Sequence, residues 1–320
     1  MTSETQPKNF GLIGVAGYIA SRHLKAIKDT GNNLLASLDR HDCVGILDSY
    51  FPNSDFFVEF ERYDRHFDKL KRQGIKIDYV SICTPNYLHD SHIRFALRHG
   101  ADAICEKPIV LNPWNIDALM EIEAETGRRV YTILQLRHHP AIMGLKKQIE
   151  AAPKDKVFDI DLSYITSRGH WYNISWKGDV QKSGGVATNI GIHFFDMLSW
   201  IFGDVEESNV HIMQPNKAAG FLRLNRARVR WFLSLDYQDV PTELKAQGKR
   251  TYRSLTIEGN EFEFSEGFTD LHTVTYQAIL QGQGYGLADA KMSVQTAFGI
   301  RNSQALGLTG DYHPMCNSVK

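Results

Sequence analysis

Asn9-Phe-Gly-Leu-Ile-Gly-Val-Ala-Gly-Tyr-Ile-Ala20 is the stretch that decides how the first half of this chain folds. Residues 9–15 form a short apolar run, Gly17 interrupts it, and the side chains Ile19, His23, Leu24 and Ile27 then recur at helical spacing. The stretch reads strand, turn, helix. Working outward, residues 34–38 read as a second strand ending at Asp39, 19 residues beyond Ala20. A nucleotide-binding unit of this kind uses small residues in the first turn, so that the backbone can approach a pyrophosphate at the helix N-terminus. It places an acidic residue about 20 positions later to accept from ribose hydroxyls. The small positions here are Gly14, Gly17 and Ala20, whereas the usual glycine positions counted from Gly14 hold Ala16 and Ile19. Alone, the motif would fit a βα turn in any α/β domain equally well.

Its context favours the nucleotide reading. Strand-like runs at 79–83, 103–105 and 130–134 alternate with helical segments near 91–98 and 113–126, which is the rhythm of a doubly wound parallel sheet. Asn112 followed by Pro113 marks a helix start. Gly14, Gly17, Tyr18 and Ile19 are then the expected pyrophosphate turn and Asp39 the ribose partner. NAD is favoured over NADP because Asp39 would repel a 2′-phosphate, although adjacent Arg40 could pair with one.

At 320 residues the chain exceeds the usual size of one hydrophobic core, so two domains are expected, residues 1–135 and 136–320. A net charge of −1 supplies no overall basic field, which argues against nucleic acid or a membrane surface as partner. Cys43, Cys83, Cys105 and Cys316 are scattered, without the close pairs of a zinc site or redox couple, and read as reduced cytoplasmic thiols. No export signal and no run of about 20 apolar residues is evident.

Two further landmarks stand at strand ends: Cys83-Thr84-Pro85-Asn86-Tyr87-Leu88-His89, and Glu106-Lys107-Pro108. Together with the Gly14 turn and the later Gly184, Gly185, Asn189, Gly191, His193 and Asp196, they resemble the glucose-fructose oxidoreductase and inositol dehydrogenase family. More narrowly, residues 135–139, 165–169, 171–172, 175–179, 187–193 and 264–272 resemble its UDP-N-acetyl-2-amino-2-deoxyglucuronate 3-dehydrogenases. The resemblance implies an N-terminal Rossmann domain and a C-terminal α+β domain whose open, largely antiparallel sheet makes subunit contacts on its exposed face. It implies oxidation of a sugar C3 hydroxyl by NAD, feeding an aminotransferase in the synthesis of diacetamido uronic acids for bacterial surface polysaccharide such as lipopolysaccharide O-antigen. Some members recycle NAD with 2-oxoglutarate. The resemblance puts Thr84, Pro85 and Asn86 beside the nicotinamide ribose, adds His89, Glu106 and Gln135 to the cofactor set, and brings Lys107 to the substrate hydroxyl. His193 becomes the catalytic histidine, and Asn189 stands where the family usually has aspartate. A cis bond before Pro108 is implied by the resemblance, while the sequence alone leaves it open.

Oxidising a secondary alcohol requires a base for the hydroxyl proton and a group that stabilises the developing alkoxide. His193, whose residue type titrates in the useful range, is favoured as base with Lys107 as the orienting and charge-stabilising partner, and the sequence leaves the reverse assignment open. A UDP-uronate carries a diphosphate and a carboxylate, which call for guanidinium and ammonium donors. Arg168 and Lys177 are the candidates, with Tyr172 as a phosphate donor, Asn189 and Gln135 on the sugar, and Trp171 or Trp176 lining the pocket. Arg137, His138 and His139 stay open between site and core, and no metal is expected because the His-His pair lacks ligand spacing. Alternating patterns at 158–164, 227–237 and 253–257 read as strands of the second domain, with helices at 271–280 and 287–306. An exposed apolar sheet face would favour a homo-oligomer, a tetramer ahead of a dimer. The rival readings are a dehydrogenase of another sugar or cyclitol and a nonenzymatic NAD-binding regulator. The second has no need for both Lys107 and His193.

Overall fold

The computed structural model describes residues 6–42, 44–262, 264 and 270–318. These divide into two compact units, Met1–Val110 with Trp114–Gln135 and Asp270–Ala290, and Leu111–Pro113 with Leu136–Thr269 and Lys291–Lys320.

The first unit contains strands β1 (Asn9–Ile13), β2 (Asn33–Leu38), β3 (Asp55–Phe57), β4 (Tyr79–Ile82), β5 (Asp102–Cys105) and β6 (Val130–Thr132). Between them run α1 (Ala20–Asp29), α2 (Ile46–Tyr50), α3 (Phe60–Arg72), α4 (His89–Arg98) and α5 (Pro113–Thr126). All strand pairs are parallel, in the order β3-β2-β1-β4-β5-β6. The strands are short and apolar because both sheet faces are covered; Phe10, Leu12, Val80, Ile82, Ala103 and Ile104 are fully buried. The order reverses between β1 and β4, and a ligand crevice in such a sheet opens at the carboxyl ends of the strands flanking that switch.

The second unit contains α6 (Pro140–Ala151), β7 (Phe158–Thr166), α7 (Trp171–Ile174), α8 (Val180–Ser183), α9 (Ile192–Phe202), β8 (Val205–Met213), β9 (Lys217–Leu224), β10 (Ala227–Ser234), α10 (Thr242–Ala246), β11 (Thr251–Ile257) and β12 (Asn260–Glu261). Its sheet runs β12-β11-β7-β10-β9-β8 and is antiparallel except at β7–β10. One face, carrying Val229, Trp231 and Leu233, packs under α9, where the Phe195 and Trp231 rings meet edge-on at 5.5 Å.

The opposite face corrects the expectation of exposed apolar surface. At one end Phe232, Ile165 and Ala219 are covered by Val240 and Cys316, with Leu244, Tyr312 and Met315 beside them. At the other end the face is charged: Arg230 pairs with Asp161 and Asp311, and Arg228 with Asp311 at 2.8 Å. The alternation that suggested a bare apolar face reflects residues that the chain's own C-terminal segment covers.

Two further helices follow, α11 (Leu271–Leu280) and α12 (Leu287–Asn302). The sequence reading placed α11 in the second domain, but Tyr276 and Ile279 complete the core of the first unit, with the Tyr276 ring stacked on Phe10 at 5.9 Å. Residues 265–269, part of the 264–272 resemblance, and Cys43 lie outside the described residues. Among the described residues, no helix is long and apolar enough to cross a membrane.

Candidate functional site

In the first unit, the residues singled out from sequence gather at the carboxyl ends of β1, β2, β4, β5 and β6. Gly14 ends β1 with φ +92°, and its N–H donates to Leu38 O at 2.7 Å. A Cβ there would lie 2.8 Å from the Cys83 carbonyl carbon and 2.9 Å from Thr84 N, so only glycine fits against the end of β4. The turn closes by Gly17 N–H to Gly14 O at 3.1 Å, and α1 opens with Ala20 N–H donating to Gly17 O. Fully buried Ala20 seats the helix in the core, while Tyr18 is 89% exposed and Ile19 half-buried. Asp39 is bound to this turn: Oδ2 accepts from Ala16 N–H and Oδ1 from His41 N–H, each at 3.0 Å.

Thr84, Pro85 and Asn86 follow β4 and lead through a short 3₁₀ turn into α4. Glu106, Lys107 and Pro108 follow β5, and the Lys107–Pro108 peptide is cis. His89, fully buried, joins the two turns, with Nδ1 2.7 Å from Pro108 O and Nε2 2.9 Å from Thr84 O. Burial pushes its pKa down, against the pull of the two carbonyls and Glu106. It ties the two turns together. Gln135 opens a 3₁₀ turn after β6 and is half-buried. The unit thus presents a glycine turn, a held acidic side chain and a lysine along one sheet edge, a donor set that fits a dinucleotide.

In the second unit, Arg168 follows β7 and is exposed, its backbone N–H donating to Leu235 O. Buried Tyr172 on α7 accepts at its hydroxyl from Asn189 Nδ2 at 2.5 Å. Burial pushes the Tyr172 pKa up, so the phenol keeps its proton as a donor. Lys177 follows α7 with its ammonium 4.3 Å over the Trp176 ring, and burial first, then the neighbouring Arg168 charge, lowers its pKa. Among the described residues neither cation has a carboxylate partner. Gly184, φ +81°, ends α8; a Cβ there would come within 2.7 Å of the Thr188 side chain. The chain then passes through a π-helical turn, Ala187–Gly191, into α9, and such turns recur at functional sites. Asn189 lies in that turn and half-buried His193 in the first turn of α9, four residues on and so on the same side of the helix. Trp171 is half exposed, its ring edge-on to Tyr172.

Two ambiguities from sequence resolve here. Arg137 pairs with Asp196 on α9 through Nε–Oδ2 at 3.1 Å and Nη2–Oδ1 at 2.8 Å, both residues buried, so it anchors the His193 helix. His139 caps α6, its Nδ1 accepting from Ala141 N–H, with Pro140 at the first helical position. Sequence reasoning named Glu106 but passed over the buried contacts that His23, His272 and Tyr276 make with it and with one another. The one signal was a histidine on the apolar face of α1.

Residues 8–134 match the family described as oxidoreductase family, NAD-binding Rossmann fold, and residues 146–240 match oxidoreductase family, C-terminal alpha/beta domain. The chain belongs to this GFO_IDH_MocA oxidoreductase family. Among solved structures it is similar to the WlbA (WbpB) dehydrogenase of Thermus thermophilus in complex with NAD and alpha-ketoglutarate, at 51% identity and TM-score 0.93, over 96% of this chain and 99% of that one. The same Thermus dehydrogenase in complex with NAD and UDP-GlcNAcA matches at 50% identity, TM-score 0.93 and the same coverage. Among curated proteins, inositol 2-dehydrogenase of Rhizobium meliloti is 26% identical over 196 residues, 61% of this chain and 55% of its own length. The chain spans about half the length of the first of these curated relatives.

Proposed function

We infer that this chain is an NAD-dependent dehydrogenase of UDP-N-acetyl-2-amino-2-deoxy-D-glucuronate (UDP-GlcNAcA), oxidising the sugar C3 hydroxyl to a ketone. NAD, when bound, supplies the hydride acceptor. Gly14, Gly17, Tyr18, Ile19 and Asp39 are assigned to its pyrophosphate and ribose, and Thr84, Pro85, Asn86, His89, Glu106 and Gln135 to the nicotinamide end, directly or by holding the turns. His193 takes the hydroxyl proton and Lys107 orients the hydroxyl and stabilises developing negative charge. Arg168, Lys177 and Tyr172 bind the anionic part of the substrate, and Asn189 and Gln135 the sugar.

The observation that carries this reading is the Arg168–Lys177 pair. Two neighbouring cations, one partly desolvated and neither matched by a carboxylate among the described residues, form a place where an anion relieves repulsion. The Thermus relative, similar along nearly all of both chains, is described in complex with NAD and UDP-GlcNAcA.

We extend the proposal to recycling of the cofactor by 2-oxoglutarate, supported by the alpha-ketoglutarate complex of that relative. A downstream aminotransferase would consume the ketone in making polysaccharide uronic acids. A cytoplasmic location is supported by the buried free thiols Cys83, Cys105 and Cys316, and a homo-oligomer, tetramer ahead of dimer, by the family resemblance alone. The experiment is product analysis: incubation with NAD, UDP-GlcNAcA and 2-oxoglutarate, then borodeuteride trapping and NMR. Deuterium at C3 is expected; deuterium at another carbon, or none with both ligands bound, would move the assignment to another sugar or to a regulator.

A further inference from the structure

Glu106 is buried, and each of its oxygens is engaged. Oε1 accepts from Nε2 of His23 on α1 at 3.1 Å and from Nε2 of His272 on α11 at 2.9 Å; Oε2 accepts from the Lys107 N–H at 3.2 Å. Behind His23, Nδ1 lies 2.7 Å from the Tyr276 hydroxyl, itself 2.7 Å from Ser81 Oγ. A carboxylate only accepts, so both imidazoles present an N–H at Nε2, and a neutral His23 then takes the Tyr276 O–H at Nδ1. Burial keeps His23 neutral. Burial opposes ionisation of Glu106, but the two imidazole donors outweigh it and hold its carboxyl well below the usual range.

We propose that His23 and His272 are positioning residues for Lys107: they fix the Glu106 carboxylate, and Glu106 fixes the backbone from which Lys107 projects. The inference rests on the catalytic assignment of Lys107. Core packing alone does not account for the set, because a buried carboxylate with its donors is seldom a more stable filling than apolar side chains of similar volume. The elements involved also matter. α1 begins at the glycine turn, β5 leads into the Glu106-Lys107 turn, and His272 on α11 lies 166 residues beyond Glu106, so one carboxylate ties the cofactor helix and the lysine turn to a common frame. The ligand atoms of His23, Glu106 and His272 lie within 4.8 Å of one another, as a divalent cation would require. The two Nε2–Oε1 separations are hydrogen-bond distances, and the N–H protons occupy the space a cation would take.

His272→Gln keeps an N–H donor, whereas His272→Leu removes it at similar volume. With the full-length protein, the Leu variant is expected to lower kcat about tenfold or more while both KM values stay within about threefold. It should also lose kcat as pH falls, because Glu106 with one donor fewer is pushed upward by burial and protonates. Among the described residues, the other titratable groups acting on Glu106 are His23, Tyr276, Cys83, Cys105 and His89, and these and Lys107 are unchanged in this variant. The Gln variant should recover most of kcat and the parent pH profile. Equal losses in the two variants, wild-type kcat in the Leu variant at every pH, or a stoichiometric divalent metal in the purified protein would each overturn the proposal. Should the parent protein fail to oxidise UDP-GlcNAcA, the assigned function falls, and infrared spectroscopy decides the network separately. A protonated-carboxyl band that appears in His272→Leu at mildly acidic pH and vanishes with added Glu106→Gln supports it, and absence of that band overturns it.

Discussion

Arg137→Ala should unseat the helix that carries His193. The Arg137 and Asp196 side chains are 6% and 3% exposed and meet in a two-pronged pair, and the guanidinium also lies 5.7 Å from the Trp200 ring centroid. Removing one partner of such a buried pair strands the other charge at a cost of about 3–5 kcal/mol. For a unit of this size each kcal/mol is worth about 2–4 °C, so the unfolding transition of the second unit should fall by roughly 6–20 °C. Replacing both residues, Arg137→Met with Asp196→Leu, strands no charge and should recover at least about half of the loss. Calorimetry on the singles and the double at neutral pH reads both effects. Asp196 lies one turn beyond His193, so kcat should fall in Arg137→Ala more than the sugar KM rises. A transition within about 2 °C of the parent, or a double variant no more stable than the weaker single, would refute the reasoning.

Gly14→Ala places a Cβ 2.8 Å from main-chain carbon at positive φ; strain of about 2–4 kcal/mol should weaken NAD binding roughly thirtyfold or more in titration calorimetry, and an unchanged Kd counts against the cradle. Lys177→Ala loses a charge-assisted contact of about 1.5–3 kcal/mol, so the UDP-sugar KM should rise roughly tenfold to a hundredfold with kcat nearly unchanged; an unmoved KM would remove Lys177 from the substrate set. His313 is buried with Nδ1 accepting from Met315 N–H, and burial pulls its pKa from 6.5 to about 4. The unfolded chain therefore takes up this proton first as pH falls, and stability present above pH about 6.5 should be lost toward pH about 4, by roughly 3 kcal/mol from this group. Denaturant titrations across that window should show a shallower slope for His313→Gln, and identical slopes would contradict it.

The parallel sheet was legible in the sequence because its strands are continuous apolar runs that end at turn residues the chemistry requires, Gly14, Thr84-Pro85 and Glu106-Lys107. β3 is three residues long and β8 carries Glu206, Glu207, Ser208 and Asn209 along an exposed stretch, so neither offers a hydrophobic period. The expected strand at 227–237 stops at Ser234, since Asp236 turns its side chain onto Gln238 N–H, and the expected helix at 287–306 stops at Asn302. Helix α11 has ordinary helical spacing, but nothing local says which core it joins; Tyr276 against Phe10 is a contact between residues 266 positions apart. A separation of 166 residues likewise hid His272 from Glu106. Lys177, Arg168, Tyr172 and Asn189 could be nominated as residue types suited to an anionic sugar nucleotide, while the Tyr172–Asn189 hydrogen bond and the π turn under Asn189 came only from the fold.

The most direct test of the central claim is a single-turnover absorbance measurement of NADH formed from NAD and UDP-GlcNAcA, made on the parent protein and on Lys107→Ala and His193→Ala, with binding of both ligands verified. The account predicts a burst of NADH in the parent, its reversal by 2-oxoglutarate, and loss of the burst in both variants. Reduction that persists in either variant, or a parent that binds both ligands and forms no NADH, would contradict it.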